Sequence, residues 1–386
     1  MTNKLEREEY WHWFHGLNGL SQKEKEELLI LCPEVSAWYE AGEKKHIKEL
    51  FGPACEESKK QKDRGSQMIS VLEDEQQRER LKRSYEKAKR NGISMVCRES
   101  ETYPERLKNI FLPPLMLYYY GELPRETKPT LAIIGARNCS VYGEEIAGSF
   151  SRQLASVGIQ IVSGMARGID SAAQRTAINE TGSAYAVLGS GVDVCYPKEN
   201  KLLYQKLKEQ GGIISEELPG TEPASWNFPK RNRIISGLAD AVFVVEAREN
   251  SGSLITVSYA LEQGKDVYAV PGRIYEKLSE GTNRLIQEGA YLVKEPEDIL
   301  HGFTEKNGDF FLKNGMENKN FEKNPKLLLA SREKIVYACL SLRPKHMEEL
   351  QEETELSLPE LTSLLFDMEM KHYIKQPLKN YFIIQS

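Results

Sequence analysis

The sequence predicts an α/β protein built on a doubly wound parallel sheet, with a small helical region before the sheet and a winged-helix-like domain after it. Between Asn91 and about Leu300, short apolar runs alternate with amphipathic stretches of helix length. The runs are continuously apolar, as in strands that helices cover on both faces. Turns that contain glycine follow most of them. Such strands in alternation with helices are typical of a doubly wound sheet.

The composition excludes several classes of protein. A chain of 386 residues predicts two to three domains at roughly 150 residues each. Hydrophobic residues make up 40% and charged residues 28% of the chain, which excludes collagen-like and wholly disordered proteins. Because 52 Lys and Arg stand against 57 Asp and Glu, for a net charge of −5, any nucleic-acid site must be local.

Targeting signals and paired cysteines are missing from the sequence. The first residues, MTNKLEREEYWHWFHGL, contain no apolar core of the signal-peptide kind. The apolar runs LAIIGA and AVFVV fall short of the roughly 18 residues that a membrane span needs. We therefore expect a cytoplasmic protein with no membrane partner. The six cysteines stand singly, so neither zinc nor a disulfide framework is indicated, and no cofactor is predicted.

The first predicted domain, residues 1–90, is helical. From Tyr10 to about Gly52, apolar residues at helical spacing are interrupted by glycine and proline, which indicates a few short helices. From Glu56 to Arg90, both signs of charge are mixed at i,i+4 spacing, which predicts one long exposed helix. A charge run of this kind is usually a solvated face, so we predict no specific binding role for it.

The second predicted domain, residues 91–301, carries the sheet. The runs Ile93–Val96 and Met116–Tyr120 predict an extension by one or two strands. The main strands are predicted at Leu131–Gly135, Ile159–Ser163, Ala184–Gly189, Ile213–Glu216, Ala241–Glu246 and Asp266–Pro271. Ligands of a doubly wound sheet bind outside the carboxyl ends of its strands, so the loops after these runs form the candidate site.

A linker and a small C-terminal domain are predicted after the sheet. Residues 302–325 are rich in Asn, Gly, Lys and Glu without periodicity, which is typical of a linker. Residues 326–386 predict helices at Ser331–Leu342, Lys345–Glu353 and Ser357–Lys371, then an extended pair near Tyr373–Lys375 and Tyr381–Ile384. Three helices and a hairpin suggest a winged helix. Its third helix is acidic, whereas a recognition helix presents cations or amides to DNA, so we predict protein contacts or regulation instead.

Small residues and cations follow nearly every predicted strand. Glycines allow close backbone approach, helix starts with hydroxyl and N–H groups bind anions, and arginine offers a fork to phosphate. The predicted phosphate-binding residues are Gly135, Ser163, Gly164, Gly168, Asn232, Ser251, Gly252 and Ser253. The predicted cationic residues are Arg137, Arg167, Lys198, Lys230, Arg231 and Arg233. Together these loops indicate a ligand that bears phosphate, although the first is GxR and not the GxGxxG of dinucleotide sites.

Two of these segments carry specific expectations. In SGMARGID, residues 163–170, the backbone N–H groups are expected to form an anion-binding nest, with a tight turn as the alternative. In Lys230–Arg233, cations stand at a predicted helix start, where the helix dipole disfavours them, which suggests an external anion. That at least one of these cations is instead an internal ion-pair partner stays open. Of the nearby aromatic residues Tyr142, Tyr196, Trp226 and Phe228, we expect one to stack on a base.

Catalysis is the weaker hypothesis. The strand-end loops hold the carboxylates Asp170, Asp193, Glu216 and Glu246, but the sequence has no histidine between residues 47 and 300. Carboxylates in such places usually cap helices or pair with arginines. Cys195 would need a partnering base to act as a nucleophile, and the sequence indicates none. We therefore predict that the protein is not an enzyme.

The order of the segments IIGAR, SGMARGIDSAA, GSGVDVCYP, SEELPG, FPKRNRIISGLADA, VVEARENSGSLIT and GTNRLIQEGA resembles the DNA processing protein A family, DprA/Smf, over roughly Ser94–Leu300. The resemblance implies an extended Rossmann-like domain that binds single-stranded DNA and dimerises. It also implies loading of the RecA recombinase and protection of incoming strands in natural transformation. Its phosphate-binding groove would map onto Gly135–Arg137, the SGMARGID loop, Lys198 and the FPKRNR segment.

A second reading stays open. The fold also resembles the phosphoribohydrolase group, often called lysine decarboxylase-like, which would make this chain a nucleotide-binding or nucleotide-cleaving enzyme. That group carries PGGxGTxxE near a late strand. The nearest segment here, ENSGSLITVSYALE, lacks both the paired glycines and the acidic residue at matching spacing. Hydrolysis of a nucleoside monophosphate would separate the two readings.

Overall fold

The computed structural model describes residues 6–40, 59–303 and 331–384, apart from 342, 355 and 372. The chain forms two compact units. The first unit comprises Met1–Glu126, Ala184–Asp240 and Ile255–Lys265, and the second comprises Thr127–Ser183, Ala241–Leu254 and Asp266–Ser386. No described helix is long and apolar enough to cross a membrane.

The helices are numbered in chain order. They are α1 (Arg7–Gly16), α2 (Gln22–Leu31), α3 (Val35–Tyr39), α4 (Lys59–Leu72), α5 (Glu75–Arg90), α6 (Glu105–Lys108), α7 (Val141–Ser156), α8 (Ile169–Thr181), α9 (Lys201–Gln210), α10 (Asn227–Leu238), α11 (Ser253–Glu262), α12 (Glu280–Gln287), α13 (Ser331–Cys339), α14 (Met347–Thr354) and α15 (Leu358–Met370). A 3₁₀ turn at Lys198–Asn200 leads into α9, and residues 296–303 are also helical.

The strands are numbered in the same way. They are β1 (Ser94–Cys97), β2 (Met116–Gly121), β3 (Thr130–Ile134), β4 (Gln160–Ser163), β5 (Ala184–Leu188), β6 (Gly212–Ser215), β7 (Ala241–Val244), β8 (Asp266–Ala269), β9 (Tyr291–Leu292), β10 (Lys345–His346), β11 (Ile374–Leu378) and β12 (Tyr381–Ile384).

The larger sheet confirms the predicted fold class. Its strand order is β1-β2-β6-β5-β4-β3-β7-β8-β9. Strands β3, β4, β7, β8 and β9 pair in parallel, as do β5 and β6, whereas β2 runs antiparallel to both β1 and β6. The six main strands lie where the apolar runs predict them, within one or two residues, and β1 and β2 form the predicted extension. The two-residue strand β9 was not predicted.

Complete burial explains why these runs form strands. Every residue of β3, β4, β5, β6 and β7 is buried, so both faces of each strand are covered. Continuous Ile, Val, Leu and Ala suit that environment, and each buried apolar side chain contributes about 25 cal/mol per Å² of apolar surface removed from water. The sheet core thus fixes where each strand ends, and hence where the loops of the candidate site begin.

The N-terminal helices differ from the prediction at the charged stretch. In place of one long exposed helix, α4 ends at Leu72 and α5 begins after Asp74, whose carboxylate accepts a hydrogen bond from the Gln77 N–H at 2.9 Å. An aspartate in this position starts a new helix. One face of both helices is buried, through Met68, Leu72, Leu81, Tyr85 and Ala88. The short helices predicted after Tyr10 are present up to Tyr39, and residues 41–58 lie outside the described part of the chain.

The C-terminal segment forms its own small core. The helices α13, α14 and α15 pack with an antiparallel sheet of order β10-β12-β11. The core comprises Val336, Leu340, Leu350, Leu361, Leu365, Met368, Ile374 and Phe382. The prediction was wrong at Lys345–His346, which pairs with β12 as a strand, so that α14 begins only at Met347. Of the predicted linker, only residues 302–303 are described, and both are helical.

Candidate nucleic-acid interface

The loop after β3 is closed by an internal carboxylate. Ser140 donates its N–H to Glu246 Oε2 at 2.9 Å and its hydroxyl to Oε1 at 2.5 Å. The same hydroxyl accepts the Gly143 N–H at 3.0 Å, which makes Ser140 the N-cap of α7. Glu246 is only 6% exposed. A protein carboxylate therefore supplies the negative charge that the start of α7 favours.

Gly135 serves the packing of the chain on itself. A Cβ at this position would lie 2.7 Å from Ile169 Cγ1 and 2.9 Å from the Glu246 carbonyl oxygen. The Ala136 N–H also donates to that carbonyl at 2.8 Å. The sequence suggested that this glycine lets a ligand approach the backbone; the structure instead places α8 and the end of β7 against it.

The SGMARGID loop does not form the predicted anion nest at the Gly164 and Met165 amides. The Gly164 N–H donates to Asp170 Oδ2 at 3.1 Å, and the Met165 N–H donates to Gln174 Oε1 at 3.1 Å. The Ser163 hydroxyl, fully buried, donates to the Ile133 carbonyl at 2.6 Å. These groups are used inside the second unit because α8 supplies two polar side chains that fill the turn.

The arginines of the same two loops remain exposed and lie on neighbouring segments. Arg137 follows β3 and Arg167 follows β4, and both side chains face solvent. The Ile169 N–H donates to the Ala136 carbonyl at 3.3 Å, which holds the two loops together. Gly168 permits this contact, because a Cβ there would overlap the Ala136 carbonyl oxygen, and its φ of 73° favours glycine. The structure thus brings Arg137 and Arg167 to one place on the second unit.

The serine loop after β7 bonds to itself. The hydroxyls of Ser251 and Ser253 lie 2.8 Å apart, and the Ser253 N–H points to the Ser251 hydroxyl at 3.4 Å. Gly252 is exposed, and a Cβ at that position would meet nothing within 4 Å. This loop of the second unit opens α11, as predicted, with an accessible tip.

In the first unit, Arg231 and Arg233 of α10 are buried, which differs from the prediction that both contact a ligand. Arg233 is 2% exposed and donates to both carboxylate oxygens of Glu216 at 2.7 Å. Arg231 is 7% exposed, and its guanidinium donates to the Val187 carbonyl at the end of β5 and to Asn232 Oδ1 at 3.3 Å. Both arginines tie α10 to the strand ends, and their burial keeps the guanidinium groups away from solvent.

Lys230 and Lys198 are the accessible cations of this unit's predicted set. The Lys230 ammonium lies 3.3 Å from Glu216 and 3.7 Å from Glu217, with 42% of the side chain exposed. Lys198 is exposed on the 3₁₀ turn before α9. Burial alone would raise the pKa of Glu216, but Arg233 and Lys230 together lower it, so the carboxylate stays charged.

The four strand-end carboxylates are structural, as the sequence predicted. Asp170 accepts from the Gly164 N–H, and Asp193 accepts from the Gly220 N–H at 2.7 Å. Glu216 pairs with arginine, and Glu246 accepts from Ser140. The Cys195 thiol has its pKa raised by burial and donates towards the Pro197 carbonyl at 3.7 Å, so it is not an activated nucleophile.

The aromatic residues of the loops differ in exposure. Trp226, immediately before α10, is 75% exposed, and Tyr196 is 39% exposed. The Tyr196 ring packs against the Phe228 ring, with centroids 5.5 Å apart. Tyr142 is partly buried, and this burial raises the pKa of its hydroxyl. Trp226 is therefore the aromatic residue of this set with the most surface available to a base. Within the described residues, no three His, Cys, Asp or Glu side chains are grouped to hold a metal.

On the C-terminal domain, α15 presents an apolar and acidic surface. Leu358, Phe366 and Met370, at 49%, 62% and 66% exposure, follow one another at multiples of four residues and so share a face of the helix. Asp367 is also exposed, whereas Leu361, Leu365 and Met368 face the domain core. The surface that a recognition helix would turn to DNA thus carries apolar groups and negative charge.

Comparison with known proteins relates this geometry to one family. The family model of DNA recombination-mediator protein A matches residues 94–304. The chain is 43% identical to "DNA processing protein DprA" of Streptococcus pneumoniae over 203 residues, which is 53% of this chain and 72% of that protein. It is 45% identical to "Protein Smf" of Escherichia coli over 207 residues, 53% of this chain and 55% of that protein.

Two solved structures share the fold. The X-ray structure of DNA processing protein A from Streptococcus pneumoniae matches with a TM-score of 0.63 and 31% identity, covering 78% of this chain and 98% of that one. The structure of DNA processing protein A from Helicobacter pylori matches with a TM-score of 0.51 and 29% identity, covering 55% of this chain and 96% of that one. The second structure was described for its single-stranded DNA binding mode.

Proposed function

We propose a function that starts from the family to which this chain belongs, that of DNA recombination-mediator protein A. The chain binds single-stranded DNA and acts as a recombination mediator. Its relative from Helicobacter pylori is described with a single-stranded DNA binding mode. The observation on this chain that supports the proposal is the pair of exposed arginines, Arg137 and Arg167, on adjoining loops at the carboxyl ends of β3 and β4.

The proposed DNA contacts divide into two groups. Arg137, Arg167, Lys198 and Lys230 are accessible and contact phosphates directly. Arg231 and Arg233 hold α10 in place, because they are buried and donate to the Val187 carbonyl and the Glu216 carboxylate of the first unit. Gly135, Ser163, Gly164 and Gly168 shape the loops that carry the arginines. The half-buried Asn232, Ser251 and Ser253 and the exposed Gly252 are proposed to meet the strand.

The proposal includes the family's assembly and partners. We propose that the chain forms a homodimer, acts in the cytoplasm, and loads the RecA recombinase onto incoming single strands. Support comes from family membership and from the match over residues 94–304. The domain limits at residues 90, 301 and 325 stay predictions of the same kind.

We also propose that the chain acts without catalysis. The strand-end carboxylates are engaged in hydrogen bonds and ion pairs, and the Cys195 thiol is held protonated by burial. A nucleoside monophosphate incubated with the protein should therefore remain intact. Release of a free base would favour the phosphoribohydrolase reading instead.

The C-terminal domain is proposed to be a winged helix that binds protein. The order α13-β10-α14-α15-β11-β12 supports the winged-helix reading. The exposed apolar face of α15, flanked by Asp367, suits a partner protein whose apolar surface is rimmed by cations. The negative charge of Asp367 repels DNA phosphate. Direct duplex recognition by this helix would require cations that it lacks.

The deciding experiment is a fluorescence-anisotropy titration of labelled oligo(dT) at two salt concentrations, with duplex as competitor. The full chain should prefer the single strand. The variant Arg137→Ala/Arg167→Ala/Lys198→Ala should bind more weakly, and the slope of log affinity against log salt should fall by about 2, at about 0.7 per phosphate.

A matched control is Lys82→Ala/Arg83→Ala/Lys87→Ala, which removes the same charge from exposed positions of α5. It should bind like the unaltered chain. Equal binding by the two triple variants would show that net charge, and not this interface, carries the affinity. Absence of single-strand binding by the unaltered chain would reject the proposed function.

A further inference from the structure

The first unit contains a polar cavity of about 390 Å³ under the N-terminal helices. Its walls come from the turn between α1 and α2, from α2 itself, and from the segment that follows β6. The charged and titratable side chains that line it are His15, Lys25, Glu216, Glu217 and Lys230. Apart from Glu216 and Lys230, the proposed DNA interface makes no use of these groups.

Lys25 is the unusual member of this set. The residue is 7% exposed, and its ammonium donates to the His15 carbonyl at 2.5 Å. Within the described part of the chain this is the one hydrogen bond of the Lys25 ammonium, although an ammonium group has three N–H donors. Burial, reinforced by Lys230, lowers the pKa of Lys25 to about 8, so at neutral pH the group is still mostly charged. A buried cation with two unused donors on a cavity wall calls for an acceptor inside the cavity.

The other charges around the cavity do not supply that acceptor. Glu216 is committed to Arg233 at 2.7 Å and to Lys230 at 3.3 Å. The Glu217 carboxylate has its pKa raised by burial, and it lies 3.7 Å from Lys230. The His15 ring has its pKa lowered to about 3 by burial and is neutral, with Nε2 2.8 Å from the Glu216 carbonyl. With Arg233 included, the described charges here are three cations against two carboxylates.

We propose that this cavity binds a small phosphate-bearing ligand between the Lys25 and Lys230 ammonium groups. The ligand class is inorganic phosphate or a phosphomonoester up to the size of a mononucleotide, since pockets for small molecules start at about 300 Å³. Phosphate oxygens would take the unused donors of Lys25 and offset its repulsion with Lys230. The site shares Lys230 with the proposed DNA interface and differs from it in Lys25, which lies outside that interface.

The test is calorimetric titration of the full chain with inorganic phosphate and, separately, with dAMP near neutral pH. The unaltered chain should bind at least one of the two. Lys25→Met, which keeps the apolar stem but removes the ammonium, should weaken binding by about tenfold or more, as loss of a charge-assisted hydrogen bond predicts. Lys87→Met, the same substitution at an exposed site on α5, should bind normally.

Two further variants make the titration decisive. Lys230→Met, at a partly exposed residue, should also weaken phosphate binding, and it serves if Lys25→Met fails to fold. Arg137→Ala/Arg167→Ala/Lys198→Ala should keep phosphate binding, even though that variant binds single-stranded DNA more weakly. No binding by the unaltered chain, or unchanged affinity in folded Lys25→Met or Lys230→Met, would overturn the site. Loss of phosphate in the triple variant would assign the anion to the DNA interface.

Discussion

The Arg233 guanidinium and the Glu216 carboxylate lie 2.7 Å apart, with only 3% and 4% of their side chains exposed. Arg233 belongs to α10 and Glu216 follows β6, so the pair joins the helix that carries Lys230 to the end of a central strand. Burial of either charge alone would cost several kcal/mol in lost hydration, at about the level known for unpaired buried ions, and the attraction between the two charges offsets that cost. The pair therefore fixes the position of α10 and does not offer a charge to solvent.

Removal of either partner should destabilise the fold. Arg233→Met or Glu216→Gln leaves a buried group without its partner, so each should lower the free energy of unfolding by about 3–5 kcal/mol in urea titrations. The double variant should lose less than the sum, because no unpaired charge remains. Arg125→Met breaks an exposed pair with Glu122 and should cost less than about 1 kcal/mol. Equal losses at the two sites would contradict the role assigned to Arg233.

Stability should fall as the solution is acidified. His12 is fully buried, and burial lowers its pKa from 6.5 to about 4. Below pH 6.5 His12 is protonated in the unfolded chain, whereas in the folded chain it stays neutral down to about pH 4. The free energy of unfolding therefore falls as the pH is lowered from 6.5 to about 4. At about 1.4 kcal/mol per pH unit, His12 accounts for about 3 kcal/mol.

The measurement is urea unfolding at several pH values across that window. His12→Gln, which can keep the hydrogen bond to the Tyr118 hydroxyl, should show a shallower decline than the unaltered chain. The buried His15 acts in the same direction, so some slope should remain. An identical slope in His12→Gln would show that this histidine is not the titrating group.

The sheet could be predicted because its strands are buried on both faces, which leaves a continuous apolar run in the sequence. Burial of the arginines could not be seen in that way. The run KRNR reads as a solvated charge cluster, but on α10 Arg231 stands three, four and seven residues before Ile234, Ile235 and Leu238, all of which are buried. Helical periodicity therefore held the signal that Arg231 lies on the inner face.

Tertiary partners explain the rest of what the sequence concealed. Ser140 was predictable as a cap, but Glu246, which completes it, is 106 residues away and arrives through the pairing of β3 with β7. The amides of Gly164 and Met165 are used by side chains of α8, which no local pattern indicates. The burial of Lys25 could likewise not be predicted, since the first half of α2 carries alternating charges as an exposed helix does.

The contact between Gly143 and the Glu246 carboxylate favours a glycine inside helix α7. A Cβ at Gly143 would overlap the Glu246 carboxylate, so Gly143→Ala should lower the free energy of unfolding although alanine is normally the better helix former. Gly148 is the matched control on α7, where the nearest atom to a Cβ is Thr176 Oγ1 at 3.3 Å. Gly148→Ala should be neutral or stabilising by up to about 1 kcal/mol. An unchanged free energy of unfolding in Gly143→Ala would contradict the position of the Glu246 carboxylate at the start of α7.

The C-terminal domain should contribute little to duplex binding. Its cations near the end of α15 and in the hairpin are Lys371, Lys375 and Lys379, and Lys371 is already paired with Glu333 at 2.7 Å. Because α15 is acidic and apolar, Lys371→Ala/Lys375→Ala/Lys379→Ala in the full chain should leave duplex affinity unchanged within about twofold in a competition titration. A large loss would identify the domain as a duplex reader and reject the proposed protein contact.

Trp226 should stack on a base of the bound strand. The indole is 75% exposed just before α10, which places a large aromatic surface next to Lys230 without a role in the core. Trp226→Ala should weaken oligo(dT) binding by about 1–3 kcal/mol, as lost base stacking predicts, and should leave the urea midpoint unchanged. Phe111→Ala removes another exposed ring of the first unit, 69% exposed, and should leave binding intact. Because stacking is insensitive to salt, the affinity lost in Trp226→Ala should be equal at low and high salt, whereas a loss that vanishes at high salt would point to disturbance of Lys230 instead.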